Sequence, residues 1–271
     1  MKILIFDTCG GLCNQFYDIN CAINFCLIND FKFSFRNCTF RNANLVTWYD
    51  MPIEDLFDMR VFEKYDNYVK FQTLTLTIDN TFNLVNSLRS IQLFTNNYLQ
   101  EILDIDKEYI VLKQFWVTYS FCKIIDNLNG HVLPSNKVMK IYENIKNKLS
   151  LQPMTYNFIH YRHEIDFISF FNIKNKTLEN VVLSVMPKFK DTNLKIYVAT
   201  SNFKSLIENT SKVFNSIITK NDDELTEYNF EELAFVDYMI GLHSCEVFGH
   251  SKSSFSGMVN SLKNTSNYYD V

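Results

Sequence analysis

Three short stretches hold the residue types that could do chemistry, and each follows a strand-like apolar run. The first is Gly10-Gly11-Leu12-Cys13-Asn14, behind the run of residues 2–6. Adjacent glycines let backbone approach a ligand closely, and the start of the helix that follows offers N–H donors. The same residues also suit a plain tight turn with Asn14 as the helix cap. The second stretch is His160-Tyr161-Arg162-His163-Glu164-Ile165-Asp166. Alternation places His160 and Arg162 on one side as their strand ends. Of five arginines, Arg162 is the only one after Arg89. A guanidinium is a planar fork that matches phosphate or carboxylate, where an ammonium is a point charge. The plain alternative is a surface turn closed by an Arg–Asp or Arg–Glu pair of little energetic worth. The third stretch, residues 249–257, clusters hydroxyls (Ser253, Ser254) with Phe255 at a helix start. That pattern is either ordinary capping or a phosphate seat.

Other patterns are weaker or missing. Asp104-Ile105-Asp106 has a form that can hold a divalent cation, but it runs straight into Lys107. Five of the seven cysteines lie in the first 38 residues without paired C-x2-C spacing, so they are expected to be structural thiols. His131, His163, His243 and His250 show no helical i, i+4 pairing, so no zinc site is expected. The chain has no G-x-G-x-x-G, no Walker loop and no G-x-S-x-G elbow.

The elements that must position these stretches follow from periodicity. A strand over 2–6, a helix over 14–28 and a strand through Phe31, Phe33 and Phe35 make a βαβ unit with a parallel sheet. Residues 50–105 give no clear period beyond a short helix or turn near Pro52. A strand is expected over 109–116 and a helix over 137–149. The second half alternates strands (157–161, 194–199, 213–218, 245–248) with helices (177–186, 201–209, 231–242, 253–262), the pattern of a doubly wound parallel sheet. Leu149 to Pro153 is the expected boundary, giving domains 1–150 and 151–271.

Composition narrows the function classes. Of 271 residues 47% are apolar and the net charge is −4, which excludes disorder and gives no basic excess for gripping nucleic acid. No uncharged apolar run of about 18 residues exists to span a membrane. The opening apolar run is too short for a signal peptide, so a soluble, cytoplasmic protein is expected.

Together the three stretches resemble the protein O-fucosyltransferase superfamily, including its plant-type members, and more distantly the α-1,2- and α-1,6-fucosyltransferases. GGLCNQ (10–15) is similar to that family's glycine turn, DLFDMRVFEKY (55–65) to a segment after its second strand, and HYRHEIDF (160–167) to its H-x-R-x-E-x-D-[MF] motif. FVDYMIGLHSCEVFGHSKSSFSGM (235–258) resembles its C-terminal pattern of a D-Y helix, a strand and an S-x-F-S helix start. The resemblance implies a GT-B-like α/β fold with two facing Rossmann-like domains and a cleft between them. The N-terminal domain would take the acceptor and the C-terminal domain the donor. It implies an inverting, metal-independent transfer of a sugar, without cofactor, from GDP-fucose or a UDP-sugar such as UDP-xylose or UDP-rhamnose. Arg162 would bind the β-phosphate with His160 alongside. Ser253, Ser254 and Phe255 would hold phosphate, Asp237 the nucleoside, and Gly10, Gly11 and Asn14 would lie near the sugar and acceptor. Some relatives place a Glu in the glycine loop where this chain has Gly11, so the candidate bases are Asp7, Asp18, Glu164 and Asp166. A chain shorter than most relatives, and without their anchor, is expected to use a nucleotide- or lipid-linked glycan, or a glycoprotein made outside the secretory route. The competing expectations are a degenerate nucleotide- or glycan-binding module, and a metal-dependent enzyme using Asp104 and Asp106.

Overall fold

Leu4, Ile5 and Phe6 are fully buried, so the opening run forms a strand covered on both faces, β1 (Ile3–Cys9). Strands buried on both faces belong to parallel sheets flanked by helices. Along the chain follow α1 (Leu12–Ile28), β2 (Lys32–Arg41), β3 (Trp48–Pro52), the four-residue α2 (Ile53–Leu56), β4 (Thr81–Val85), α3 (Asn96–Asp104) and β5 (Tyr109–Phe115). Their sheet has the order β3-β2-β1-β5-β4, with only β3 antiparallel. A register shift at Asp7 interrupts the pairing of β1 with both neighbours. The computed structural model describes residues 2–41, 47–85, 96–115, 132–162, 165–172, 176–201, 216–220 and 226–269.

The second sheet is wholly parallel. After α4 (Asn136–Lys148) come β6 (Tyr156–His160), α5 (Ile165–Phe171), α6 (Leu178–Val185), β7 (Lys195–Ala199), β8 (Ile217–Ile218), α7 (Phe230–His243), β9 (Val247–Phe248) and α8 (Ser254–Leu262). The strand order is β8-β7-β6-β9. One buried cluster joins Ile159, Val198 and Phe248 of the sheet to Leu178, Val181, Val182 and Val185 of α6. The spacing of those four α6 residues is the helical period that predicts the element.

The chain divides into the units Met1–Lys137 and Val138–Val271. The expected boundary at Leu149–Pro153 lies beyond this division, because α4 packs within the second unit. Val138, Ile141, Tyr142 and Ile145 bury one face of α4, and the Tyr142 hydroxyl lies 2.8 Å from His243 Nδ1 at the end of α7.

Most expected elements are present, within a few residues at their ends. The short helix expected near Pro52 is α2, but β3, β4 and α3 on either side of it were not revealed by periodicity, and α5 was likewise unforeseen. All but the first residue of the expected helix over 201–209 lies outside the described residues, as does the first half of the expected strand over 213–218, whose end is β8. The described cysteines are thiols and form no disulfide: Cys13, Cys21, Cys26 and Cys38 are buried, while Cys9 and Cys245 are half-buried. Among the described residues no helix is long and apolar enough to cross a membrane.

Candidate functional site

In an open parallel sheet, ligands gather beyond the carboxyl ends of the strands, where the strand order reverses. In the second sheet that point lies between β6 and β9. The chain steps from β6 outward to β7 and β8, then returns as β9 on the other side of β6. His160-Tyr161-Arg162 follows β6 and Gly249 to Ser254 follows β9, so topology brings two of the three sequence stretches to one place.

Ser256 ties the two loops together. Its Oγ accepts the His250 N–H at 3.1 Å and lies 2.8 Å from His160 Nδ1. The approach is close because residue 249 is glycine: a Cβ there would overlap Ser256 Oγ. Ser256 Oγ keeps a second lone pair and a proton of its own, so the contact with His160 Nδ1 forms with either imidazole tautomer. Burial holds the His160 pKa well below its ordinary value, and the nearby Arg162, His250 and Lys220 depress it further. His160 is therefore a neutral donor, its ring packed 4.4 Å from that of Phe255.

Arg162 is half-buried, with its guanidinium 4.5 Å from the centre of the Phe167 ring. Phe167 in turn stands edge-on to His250 at 5.0 Å. The final aromatic of the H-x-R-x-E-x-D-[MF] stretch thus seats the arginine by a cation–π contact, a role that spacing alone did not disclose. Ser253 is the N-cap of α8, its hydroxyl accepting from the Ser256 N–H. Ser254 and Phe255 open that helix, where backbone N–H groups have no partner within the helix.

Asp237 does not stand open at the site's edge. It is buried on α7, ion-paired with Lys220, and accepts the Tyr197 hydroxyl at 2.6 Å. Burial raises the Asp237 pKa, against the opposing pull of Lys220 and Tyr197. Lys220, only 2% exposed, is the residue that sequence reasoning missed. The available signal was its place just beyond the apolar pair Ile217–Ile218, at the carboxyl end of β8. Glu164 lies outside the described residues. Asp166 falls within α5, but its side chain is likewise outside the described set.

The first unit has its own strand-end turn. Gly10 has φ 114°, which glycine adopts without strain. Gln15 Nε2 donates to the Gly10 carbonyl at 2.9 Å and the Thr39 carbonyl at 3.3 Å, fixing the turn against β2. The N-cap of α1 is Gly11, without a side-chain bond, so Asn14 is not the cap but a half-buried residue in the first helical turn. Asp7, in the register shift, is ion-paired with Arg36, whose Nε lies 2.8 Å from Oδ1. Asp18 is fully buried, with Oδ2 accepting the Cys9 N–H at 3.4 Å.

Asp104 ends α3 and Asp106 follows it. The Lys2 ammonium bonds the carbonyls of Ile102, Leu103 and Ile105 there, and Asp104 accepts from Gln100 at 2.7 Å. Among the described residues no three His, Cys, Asp or Glu side chains are grouped to hold a metal ion.

Comparison with known proteins agrees with this layout. The chain is similar to POFUT1 in complex with GDP-fucose, with a TM-score of 0.66 at 11% identity, covering 99% of this chain and 97% of that one. POFUT1 in complex with GDP gives 0.64 at 10% identity with the same coverage. The fucosyltransferase NodZ from Bradyrhizobium gives 0.58 at 11% identity, covering 97% of this chain and 93% of that one. No family model and no curated protein matches the chain in sequence. The likeness is one of fold over nearly the whole length, and the chain resembles the O-fucosyltransferase superfamily in having the α/β, parallel-sheet fold of its GT-B-like fucosyltransferases.

Proposed function

We propose that the protein is a glycosyltransferase that moves a sugar, fucose from GDP-fucose first among the candidates, onto a hydroxyl of a glycan or glycoprotein. The observation that carries this reading is the gathering of anion-binding groups at the switch point of the second sheet. Arg162, the neutral donor His160 and the first turn of α8 meet there, and the buried Lys220–Asp237 pair lies beyond β8 of the same sheet. A departing nucleoside diphosphate requires such fixed donors where charge develops. The neighbours bound to GDP and GDP-fucose support the same ligand class.

In this reading the second unit takes the donor. Arg162 grips the β-phosphate as a fork, His160 in the tautomer protonated on Nε2 donates a further hydrogen bond, and Ser253, Ser254 and the Phe255 amide meet phosphate at the helix start. Asp237, tied to Lys220 and Tyr197, shapes the wall on the nucleoside side. The first unit takes the acceptor, with Gly10, Gly11 and Asn14 as its contact residues. The acceptor oxygen bonds to the anomeric carbon from the face opposite the leaving group, the bond to phosphate breaks, and the acceptor proton passes to a base. Inversion follows from that single displacement, and the protein's own cations take the place of a metal. Glu164 and Asp166 are the candidate bases left in the second stretch.

Arg162→Lys tests the reading. Loss of the fork is expected to weaken GDP binding about 10- to 100-fold, the size of one charge-assisted pair. Melting temperature without ligand should stay within about two degrees, and EDTA should leave wild-type transfer unchanged. Equal GDP affinity in this variant and the wild type would sink the phosphate assignment, and a response to UDP alone would move the donor to a UDP-sugar. A binding module without transfer is the second reading. It is favoured by the lack of any acidic residue in the first turn of α1 and by the engagement of Asp7 with Arg36. Nucleotide binding with no product from any acceptor would select it.

A further inference from the structure

The hydrogen bonds between β6 and β9 stop one step before the site. Phe158 N–H donates to the Glu246 carbonyl at 2.8 Å, and the parallel register pairs Ile159 with Phe248. Continued in that register, the His250 N–H would reach the His160 carbonyl and the Arg162 N–H the His250 carbonyl. Neither bond forms. The His250 N–H is turned to Ser256 Oγ, and the His250 carbonyl accepts from the Ser253 N–H at 3.0 Å. The strands therefore part where the proposed diphosphate seat begins, exposing two backbone groups on either side of Tyr161.

One hydroxyl from the C-terminal segment fills that gap. Tyr269 Oη donates to the His160 carbonyl at 2.5 Å and accepts the Arg162 N–H at 3.3 Å. A phenol has one proton to give and lone pairs to receive, so both bonds can stand together. Tyr269 is held in turn: its N–H donates to the Gly249 carbonyl at 2.9 Å, and the Gly249 N–H to the Asn267 carbonyl at 3.3 Å. Asn260 of α8 locks Asn267 from both ends, and the Tyr269 ring stands edge-on to His250 at 5.8 Å. The segment thus runs as an added parallel strand beside Gly249, and its last described side chain reaches across to the β6 loop.

We propose that Tyr269 is a positioning residue for Arg162: its hydroxyl replaces the missing ladder bonds and fixes the backbone from which the guanidinium reaches the diphosphate. The proposal rests on the donor reading above. Tyr269→Phe removes the hydroxyl and keeps the ring. It is expected to lower GDP affinity about tenfold, the worth of one well-made polar contact, and to leave GMP, which has no β-phosphate, within about twofold. Added to Arg162→Lys it should cost nothing more, because the group it positions is already lost. Wild-type GDP affinity in Tyr269→Phe, an equal loss for GDP and GMP, or additive losses with Arg162→Lys would each overturn it.

Amide hydrogen exchange separates this proposal from the donor reading. The Arg162 amide of the wild type should be protected although it lies past the end of β6, and Tyr269→Phe should speed its exchange at least tenfold. An unprotected wild-type amide overturns the proposal whether or not the variant folds. If the wild type binds neither GDP nor UDP, the donor reading fails by itself. Faster exchange in the variant then still supports the backbone tie, and unchanged exchange overturns it.

Discussion

The two strand-end turns of this protein begin from similar topology and end in different electrostatics. In the first unit the turn after β1 is settled by backbone: a glycine at φ 114°, the Gln15 amide across two carbonyls, and an Asp7–Arg36 pair that cancels its own charge. In the second unit the loops after β6 and β9 are held by side chains that titrate or carry charge, among them His160 and Arg162, with the buried Lys220–Asp237 pair beyond β8. Position at a carboxyl strand end gives a place for a ligand, and the side chains set there decide which one. The proposed diphosphate seat therefore falls in the second unit and the proposed acceptor contacts in the first.

The largest test of the contrast compares the two ion pairs. Lys220→Met strands Asp237 in the interior, and removing one partner of a buried pair costs about 3–5 kcal/mol. Arg36→Met strands Asp7, which is also buried, but Arg36 is 23% exposed at its side chain and water reaches the place it leaves, so the cost should be smaller, about 1–3 kcal/mol. Urea denaturation of both variants measures the difference, and equal losses would remove the distinction between the units. Gly249→Ala comes next. The added methyl meets Ser256 Oγ, and such overpacking costs about 1–3 kcal/mol. Because the hydroxyl it displaces holds His160 and His250, GDP binding should fall with stability, whereas Gly10→Ala should strain its turn and leave GDP binding unchanged. Calorimetric titration of the two variants reads this directly.

The smallest effect is in pH. The folded His160 pKa lies below the ordinary value near 6.5, so below that pH the unfolded chain binds more protons than the native one. Its contribution to stability is complete above about pH 6.5 and is lost as pH falls toward the folded pKa. His160→Gln should flatten that part of the curve by up to about 2 kcal/mol, measured as the difference in unfolding free energy between pH 7 and pH 5. Bound diphosphate should raise the His160 pKa, so GDP binding should take up more protons in the wild type than in the variant. A variant curve parallel to the wild type's would remove His160 from the titrating groups of the site.

Much of the fold is set by local pattern. The apolar runs at 3–6 and 158–159, the glycine pair after the first strand, and the i, i+3, i+4 spacing of Leu178, Val181 and Val182 each specify an element from neighbours in sequence alone. The same is true of the place of His160 and Arg162 at a strand end, which makes them the candidates for an anion's ligands. β4 escaped notice because Thr81–Val85 is short and mixed, and its strand character comes from pairing with β5. α5 escaped because its pattern is nearly uniform in apolar residues and carries no period.

What only the tertiary structure decided is how those residues are held. Nothing near Lys220 in sequence names Asp237 as its partner, because they meet through the sheet order that sets β8 two strands from β6 and three from β9. Nothing near Arg162 names Tyr269, 107 residues away, as the group that fixes its backbone. Long-range hydrogen bonds and buried pairs depend on which strands lie side by side and on where they part. The sequence by itself determined the elements and the chemistry at their ends, since both are local properties of residue type and spacing. The partners of that chemistry were decided by packing, since a buried polar group must find its match wherever the fold has placed one.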